Sequence, residues 1–282
     1  MSPTPPSPSV LTAFSLPPST TPTPLPGGQN TSYLSSTTVL KHIPPTPAPE
    51  AEWTSHTLSL LPPSPYFTIP TPILASTGSY VYENWTATTF CPGTDHPVGH
   101  WEELFSAARH FHASLEGIPE PEFLAKRTHP WARADRVAWD EDSVAVVPAL
   151  APLYSHLLSL RKEIGVVIAQ LVHGDLSGNI LFSSSQPPVV IDFSPFWRHV
   201  DYAAAIAVVD GIADFGEGEE LLRAAGFGWD GDRLGRHGVQ MLVRALMFRV
   251  VARSELVGVM GEVAEREMRG FERVRGVIEK YV

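Results

Sequence analysis

Three short apolar runs, Leu171-Val172, Ile180-Leu181-Phe182 and Val189-Val190-Ile191, enclose a polar loop holding His173, Asp175 and Asn179, and the last run ends on Asp192. Apolar runs of this length, bounded by polar residues, read as short buried strands. Strands so short place the loop residues at their ends, where two aspartates and an asparagine can converge. The rest of the chain has to supply a frame that holds such a cluster in place.

With 282 residues, 43% of them hydrophobic, the chain can bury a sizeable core as one large domain or as two lobes. Its apolar runs all fall short of the ~18–20 residues of a membrane span, and the N-terminus shows neither a basic segment nor an apolar signal core. The expectation is a cytoplasmic protein with no membrane partner. Cys91 is the one cysteine, so no internal disulfide forms, in keeping with a reducing compartment. The Asn30-Thr31-Ser32 and Asn84-Trp85-Thr86 sequons are then coincidental. A formal charge of −10, without a cluster of Lys and Arg, argues against a nucleic-acid partner. The excess of acids either keeps the surface solvated or favours a cationic substrate.

Residues 1–24 are rich in Pro, Ser and Thr, with Val10, Leu11, Phe14 and Leu16 as apolar anchors, and read as a flexible, mostly extended arm that can dock in part. Pro26-Gly27-Gly28 is a turn signal ahead of a hairpin whose second strand, 37–41, ends on Lys41. Backbone amides at Gly27 and Gly28 can approach a phosphate, although an ordinary hairpin turn uses the same residues. A helix then runs from Pro49 to about Leu61 with Glu50 and Glu52 in its first turn, and either acid can pair with Lys41. Strand-like runs at 70–75 and 79–88 lead to Cys91-Pro92-Gly93, a boundary signal.

Beyond it the pattern turns helical. Trp101, Leu104, Phe105, Ala108, His112 and Leu115 share one face of a helix over 100–116, and His110 and His112, without a third ligand, read as structural. Further helices are expected at 129–139 and 149–161. Residues 202–212 and 239–251 are apolar nearly all round and read as buried helices, and 258–281 as a closing amphipathic one. The organisation expected is an arm (1–24), a small β-rich lobe (25–92) and a helical lobe (93–282).

Phosphoryl transfer from ATP needs a carboxylate to orient the attacking hydroxyl, oxygen ligands for magnesium and a cation near the phosphates. Asp175 suits the first role, Asn179 and Asp192 the second, and Lys41 the third. HGDLSGNILF followed by VVIDF resembles the catalytic and metal-binding segments of the aminoglycoside phosphotransferase family, relatives of choline kinases with a protein-kinase-like fold. DFSPFWR at 192–198 is similar to an actinobacterial-type subgroup carrying HGDLxGN and DFSPxWR.

The resemblance implies an α+β bilobal fold, with a small antiparallel sheet and one helix in the N-lobe and a mainly helical C-lobe. It also implies ATP and Mg2+ as cofactors, a small-molecule hydroxyl as acceptor, Glu50 as the partner of Lys41, and His173 as a brace for Asp192. An amine-bearing alcohol would suit Glu102, Glu103, Glu120, Glu122, Asp135 and Asp140, which are equally explained as solvated acids.

The sequence departs from the family in three places. Asp175 to Asn179 is four steps where five are usual, so the loop must be tighter, with Gly178 supplying backbone freedom. Ser194 replaces a common glycine, and Ala203 a common buried aspartate. The shortened loop also motivates a second reading, a nucleotide-binding module with a kinase fold and little catalysis. Protein-kinase activity is not expected, because no Ala-Pro-Glu segment follows Asp192.

Overall fold

The structure, a computed structural model, describes residues 5–26, 31–44, 47–231 and 233–282. In chain order the first elements are α1 (Pro8–Ala13), β1 (Thr23–Pro24), β2 (Ser32–Ser35), β3 (Thr38–His42), α2 (Ala48–Ser59) and β4 (Trp85–Thr89). They are followed by α3 (Trp101–Ser114), α4 (Phe123–Lys126), α5 (Pro130–Ala138), α6 (Ala151–Leu160), β5 (Gln170–His173), β6 (Ile180–Leu181), β7 (Val189–Val190) and β8 (Pro195–Arg198). The chain closes with α7 (Val200–Ala213), α8 (Leu221–Ala225), β9 (Trp229–Asp230), β10 (Arg233–Leu234), α9 (Arg236–Glu255), α10 (Val257–Met260) and α11 (Glu265–Glu279).

Two compact units result. One contains residues up to Thr94 together with Leu181–Ile191, and the other contains Asp95–Ile180 and Asp192–Val282. The mixed α+β composition, with a small antiparallel sheet and many helices, is that of a kinase-like fold.

In the first unit, β1 to β4 form an antiparallel sheet in sequence order. The β2–β3 hairpin turns at Ser36, whose φ of 57° lies in the left-handed region. Strand alternation sends Tyr33, Leu40, Trp85 and Ala87 to one face, where they pack with Val10, Leu11, Ala13 and Phe14. Lys41, next to Leu40, therefore sits on the opposite face of β3.

Within the arm expected over 1–24, the described residues 5–24 carry a docked helix where a flexible segment was expected. Ser7 caps α1 by accepting from the Val10 amide at 3.3 Å, and Pro8 occupies the first turn. The few apolar residues of the segment fall within two turns, and Val10, Leu11, Ala13 and Phe14 are all buried. A Ser-Pro pair that composition counts as a disorder signal here starts a helix. The Ser76 amide donating to Ala13 O at 2.8 Å ties that helix to the unit.

The strand expected at 70–75 is also absent as a regular element. Pro70 and Pro72 have no amide to give a ladder, so the segment joins β4 through a single bridge and isolated bonds such as Ile73 N–H to Ala87 O at 2.8 Å. Of the run expected over 79–88, only Trp85 onward is regular, because Glu83 and Asn84 turn with positive φ.

In the second unit, α7 and α9 are buried nearly all round, as their apolar composition requires, and α3 buries the face expected of it. No helix among the described residues is long and apolar enough to cross a membrane. His112, on the buried face of α3, accepts from the His173 amide through Nε2 at 3.0 Å. Burial, with a smaller contribution from His173, lowers its pKa to about 3.

Two predictions follow from this packing. Phe14→Ala is expected to cost about 3–5 kcal/mol in chemical denaturation, where an extended arm would be neutral. His112 is neutral in both folded and unfolded chains above its unfolded pKa near 6.5. Below that value only the unfolded chain takes up the proton, until about pH 3, so stability falls with acid by up to about 1.4 kcal/mol per pH unit from this group. Urea titrations between pH 7 and pH 4 should show a shallower loss for His112→Gln, which keeps an acceptor but does not titrate.

Candidate active site

β5 pairs antiparallel with β8, with Val172 opposite Phe196 and His173 opposite Pro195. The segment leading into β8, with Asp192, thus lies at the end of the ladder where β5 runs into the Asp175 loop. β8 is a strand the apolar patterning did not reveal. The Gly174 amide extends the ladder by donating to Ser194 O at 3.0 Å. A Cβ on Gly174 would come within 2.2 Å of the Phe196 ring, so only glycine allows this approach. Phe193 fixes the other side, meeting the rings of His173 at 5.7 Å and Phe111 at 5.2 Å edge to face.

Asp175 and Asn179 come together. The Asn179 Nδ2 donates to Asp175 O at 2.7 Å and to Asp175 Oδ2 at 3.2 Å. Both bonds use Nδ2, so neither consumes the acceptor oxygen of Asn179. Gly178, with φ of 80°, supplies the left-handed turn that the four-step spacing needs. His173 is fully buried, and its Nδ1 accepts from the Asp175 amide at 3.2 Å. Asp192 is exposed, has φ of 47°, and its carbonyl accepts from Ser194 Oγ at 3.2 Å.

The other Asp175 oxygen, Oδ1, accepts from Arg249 NH2 of α9 at 2.8 Å. Arg249 also grips Asp210 of α7, with Nε to Oδ1 at 2.7 Å and NH2 to Oδ2 at 2.6 Å. Burial opposes the charge on Arg249, but the carboxylates of Asp210 and Asp175 outweigh it and hold the guanidinium pKa above its usual range. The Asp175 side chain stays 44% exposed beside the nearly buried Asp210 at 7%. It is a fixed carboxylate that a hydroxyl can still reach.

Arg249 and Asp210 were missed by sequence reasoning. The signal was present in principle, since each is a charge in a helix too apolar to face water, and such charges need partners.

A second clamp holds β8. Arg198, the last residue of DFSPFWR, donates to Asp135 of α5 through Nε at 3.0 Å and NH2 at 2.7 Å. It also reaches Glu141 at 2.6 and 2.7 Å and lies over the Trp139 ring at 5.0 Å. Burial raises the Asp135 pKa, and Arg198 opposes the rise. Asp135 is therefore a structural partner and not one of the acids open to a cationic substrate. Asp140 and Glu122 pair with Arg161 and Lys126.

Lys41 and Glu50 both lie in the first unit, on β3 and in the first turn of α2. Glu52, the other candidate for pairing with Lys41, accepts from Ser79 Oγ at 2.6 Å and from the Tyr80 and Val81 amides at 3.0 and 2.9 Å, which commits it to that turn. Gly27 and Gly28 lie outside the described residues.

The oxygen donors of Asn179 and Asp192 suit a hard cation such as Mg2+.

The chain is similar to the solved structure of a microcompartment-associated aminopropanol kinase, with 18% identity, 96% of this chain and 94% of that chain covered, and a TM-score of 0.64. It is also similar to the choline kinase LicA from Streptococcus pneumoniae, with 11% identity, coverage of 93% and 94%, and a TM-score of 0.57. A thermostable mutant of aminoglycoside phosphotransferase APH(4)-Ia, in ternary complex with AMP-PNP and hygromycin B, matches with 12% identity, coverage of 96% and 96%, and a TM-score of 0.56. No curated protein matches by sequence. Residues 21–234 match the phosphotransferase enzyme family, APH. Since that span takes in the β2–β3 hairpin, the Asp175 loop and Asp192, the chain belongs to the phosphotransferase enzyme family.

Proposed function

We propose that the protein transfers the γ-phosphate of ATP, with Mg2+, to a hydroxyl of a small molecule. The observation that carries this reading is the half-exposed Asp175 carboxylate, held on one oxygen by Arg249 and on the other by Asn179. Each carboxylate oxygen keeps a second lone-pair site, so Asp175 can accept the acceptor's proton without breaking either bond. Mg·ATP supplies the phosphoryl group with its charge partly neutralised.

In this reading the region 25–92 binds the nucleotide and 93–282 provides the catalytic loop and the acceptor pocket. Asn179 and Asp192 hold the metal. Lys41, positioned by Glu50, holds the α and β phosphates, with Gly27 and Gly28 near them, and His173 braces the loop. The AMP-PNP in the related hygromycin-binding complex supports a nucleotide site. An amine-bearing alcohol is the favoured acceptor, since the similar structures include an aminopropanol kinase and a choline kinase. ATP consumption measured against a panel of amino alcohols, sugars and nucleosides tests the acceptor class.

Asp175→Ala should lower turnover by about two to four orders of magnitude while nucleotide binding, read by thermal shift, is retained. Unchanged turnover would sink the assignment. Mg2+-dependent nucleotide binding with no turnover on any acceptor would favour the nucleotide-binding module with little catalysis.

Arg249 acts through Asp175 as a positioning residue. Arg249→Lys keeps the charge but loses the planar fork, and is expected to lower kcat roughly tenfold or more, with the KM for ATP unchanged, at temperatures well below its melting point. A drop in melting temperature with wild-type kcat would reduce Arg249 to a structural role.

A further inference from the structure

His199, Asp201 and His237 form a cluster separate from the Asp175 loop. His199 is the residue that caps α7, Asp201 lies in the first turn of α7, and His237 in the first turn of α9. His237 Nε2 lies 2.9 Å from Asp201 Oδ2, and His199 Nδ1 lies 3.6 Å from the same oxygen. The two imidazoles approach at 4.9 Å between ring centroids, with planes at 72°. One ligand atom from each residue falls within 4.8 Å of the others.

A tetrahedral zinc site with bonds of ~2.0–2.1 Å separates its ligand atoms by about 3.3 Å. The separations of 2.9 and 3.6 Å bracket that value for two of the three pairs, and because His199 Nδ1 already accepts from the Asp201 amide at 3.2 Å, ligation there exchanges that capping bond for a bond to the ion. The side chains are between 24% and 33% exposed, which leaves solvent access for the ion and for a water in the fourth position. Asp201 also lines a cavity of about 260 Å³ beside α3.

We propose that His199, Asp201 and His237 bind a divalent transition metal, Zn2+ in the first instance. Two nitrogens and one oxygen select borderline metals over Mg2+, which prefers an all-oxygen set, so this site is chemically distinct from the one suggested for Asn179 and Asp192. The ion fastens the start of α7 to the start of α9. Those two helices carry Asp210 and Arg249, so the metal would stiffen the frame behind the Asp175 loop without touching the reaction. The site sets three protein ligands against the positive ends of two helices, which weaken the hold on a cation.

The test uses the untagged full chain, stripped with chelator and titrated with Zn2+ against a chromophoric competitor in excess Mg2+. One Zn2+ per chain is expected, with a rise in melting temperature and, for Co2+, a visible absorption of a nitrogen and oxygen site. His199→Asn keeps an N-cap acceptor, and His237→Gln keeps a donor to Asp201, so neither needs to disturb the metal-free fold. Each should weaken Zn2+ binding at least tenfold with the metal-free melting temperature unchanged, while Asp192→Asn binds Zn2+ as the parent does. Absence of saturable binding, full affinity in either histidine variant, or loss of binding in Asp192→Asn overturns the proposal. None of these readouts requires phosphotransferase activity.

Discussion

The guanidinium of Arg249 between Asp210 and Asp175 is the contact on which the rest of the site depends. Asp210 takes two of its bonds in a forked arrangement, which fixes the plane of the group. With the plane fixed, the bond to Asp175 Oδ1 has one direction left. α7 and α9 must therefore pack in one register before the loop carboxylate has a defined orientation. Breaking a buried ion pair by removing one partner typically costs about 3–5 kcal/mol, because the other charge is stranded. The arrangement is accordingly all or none, and the core packing of two apolar helices is converted into the position of one oxygen atom.

The shortened loop is closed by the same residues that it presents. The Asn179 amide reaches back to Asp175 O at 2.7 Å, a side-chain to backbone bond of the kind that stabilises tight turns. Gly178 takes the left-handed conformation required between them, and the fully buried Leu176 anchors the loop from inside. The four-step spacing from Asp175 to Asn179 is thus closed by a turn, with the two hydrogen bonds of Asn179 made through its Nδ2. Asp192 also holds a left-handed φ, where a non-glycine residue bears local strain that its surroundings must over-determine. Aspartate tolerates this region better than most residues, and the Phe193 ring between His173 and Phe111 pins the residue that follows.

Much of the fold could be read from periodicity. The hairpin carrying Lys41, the α2 helix, the buried face of α3 and the two mostly apolar buried helices occur where repeats of two or 3.6 residues placed them. The failures have physical causes. α1 is six residues long and draws its stability from packing on Tyr33, Leu40 and Trp85, which no local window contains. The prolines at 70 and 72 do not alter an apolar pattern but do remove ladder donors. β8 begins at a proline and reads as loop until its partner, β5, is known. At the candidate site, Asp175 and Asn179 could be singled out along the chain because their spacing is local. Arg249 and Arg198 were not, since a partner 74 or 63 residues away leaves no pattern along the chain.

The β5–β8 ladder is a two-stranded ribbon of four residue pairs, and ribbons of that size are marginal by themselves. Its own hydrogen bonds cannot fix the positions of Asp175 and Asp192 to within a few tenths of an ångström. Two arginine clamps supply what the ladder lacks. Arg249 holds the loop that leaves β5, and Arg198 holds the far end of β8 against α5. Both use forked contacts to carboxylates at least nine-tenths buried, so both resist rotation as well as separation. A clamp at each end of a short ribbon limits the sliding that would carry Asp192 away from Asp175. The site is therefore held from the helices inward, and substitutions in α5, α7 or α9 that loosen either clamp should reach the loop before they reach the core.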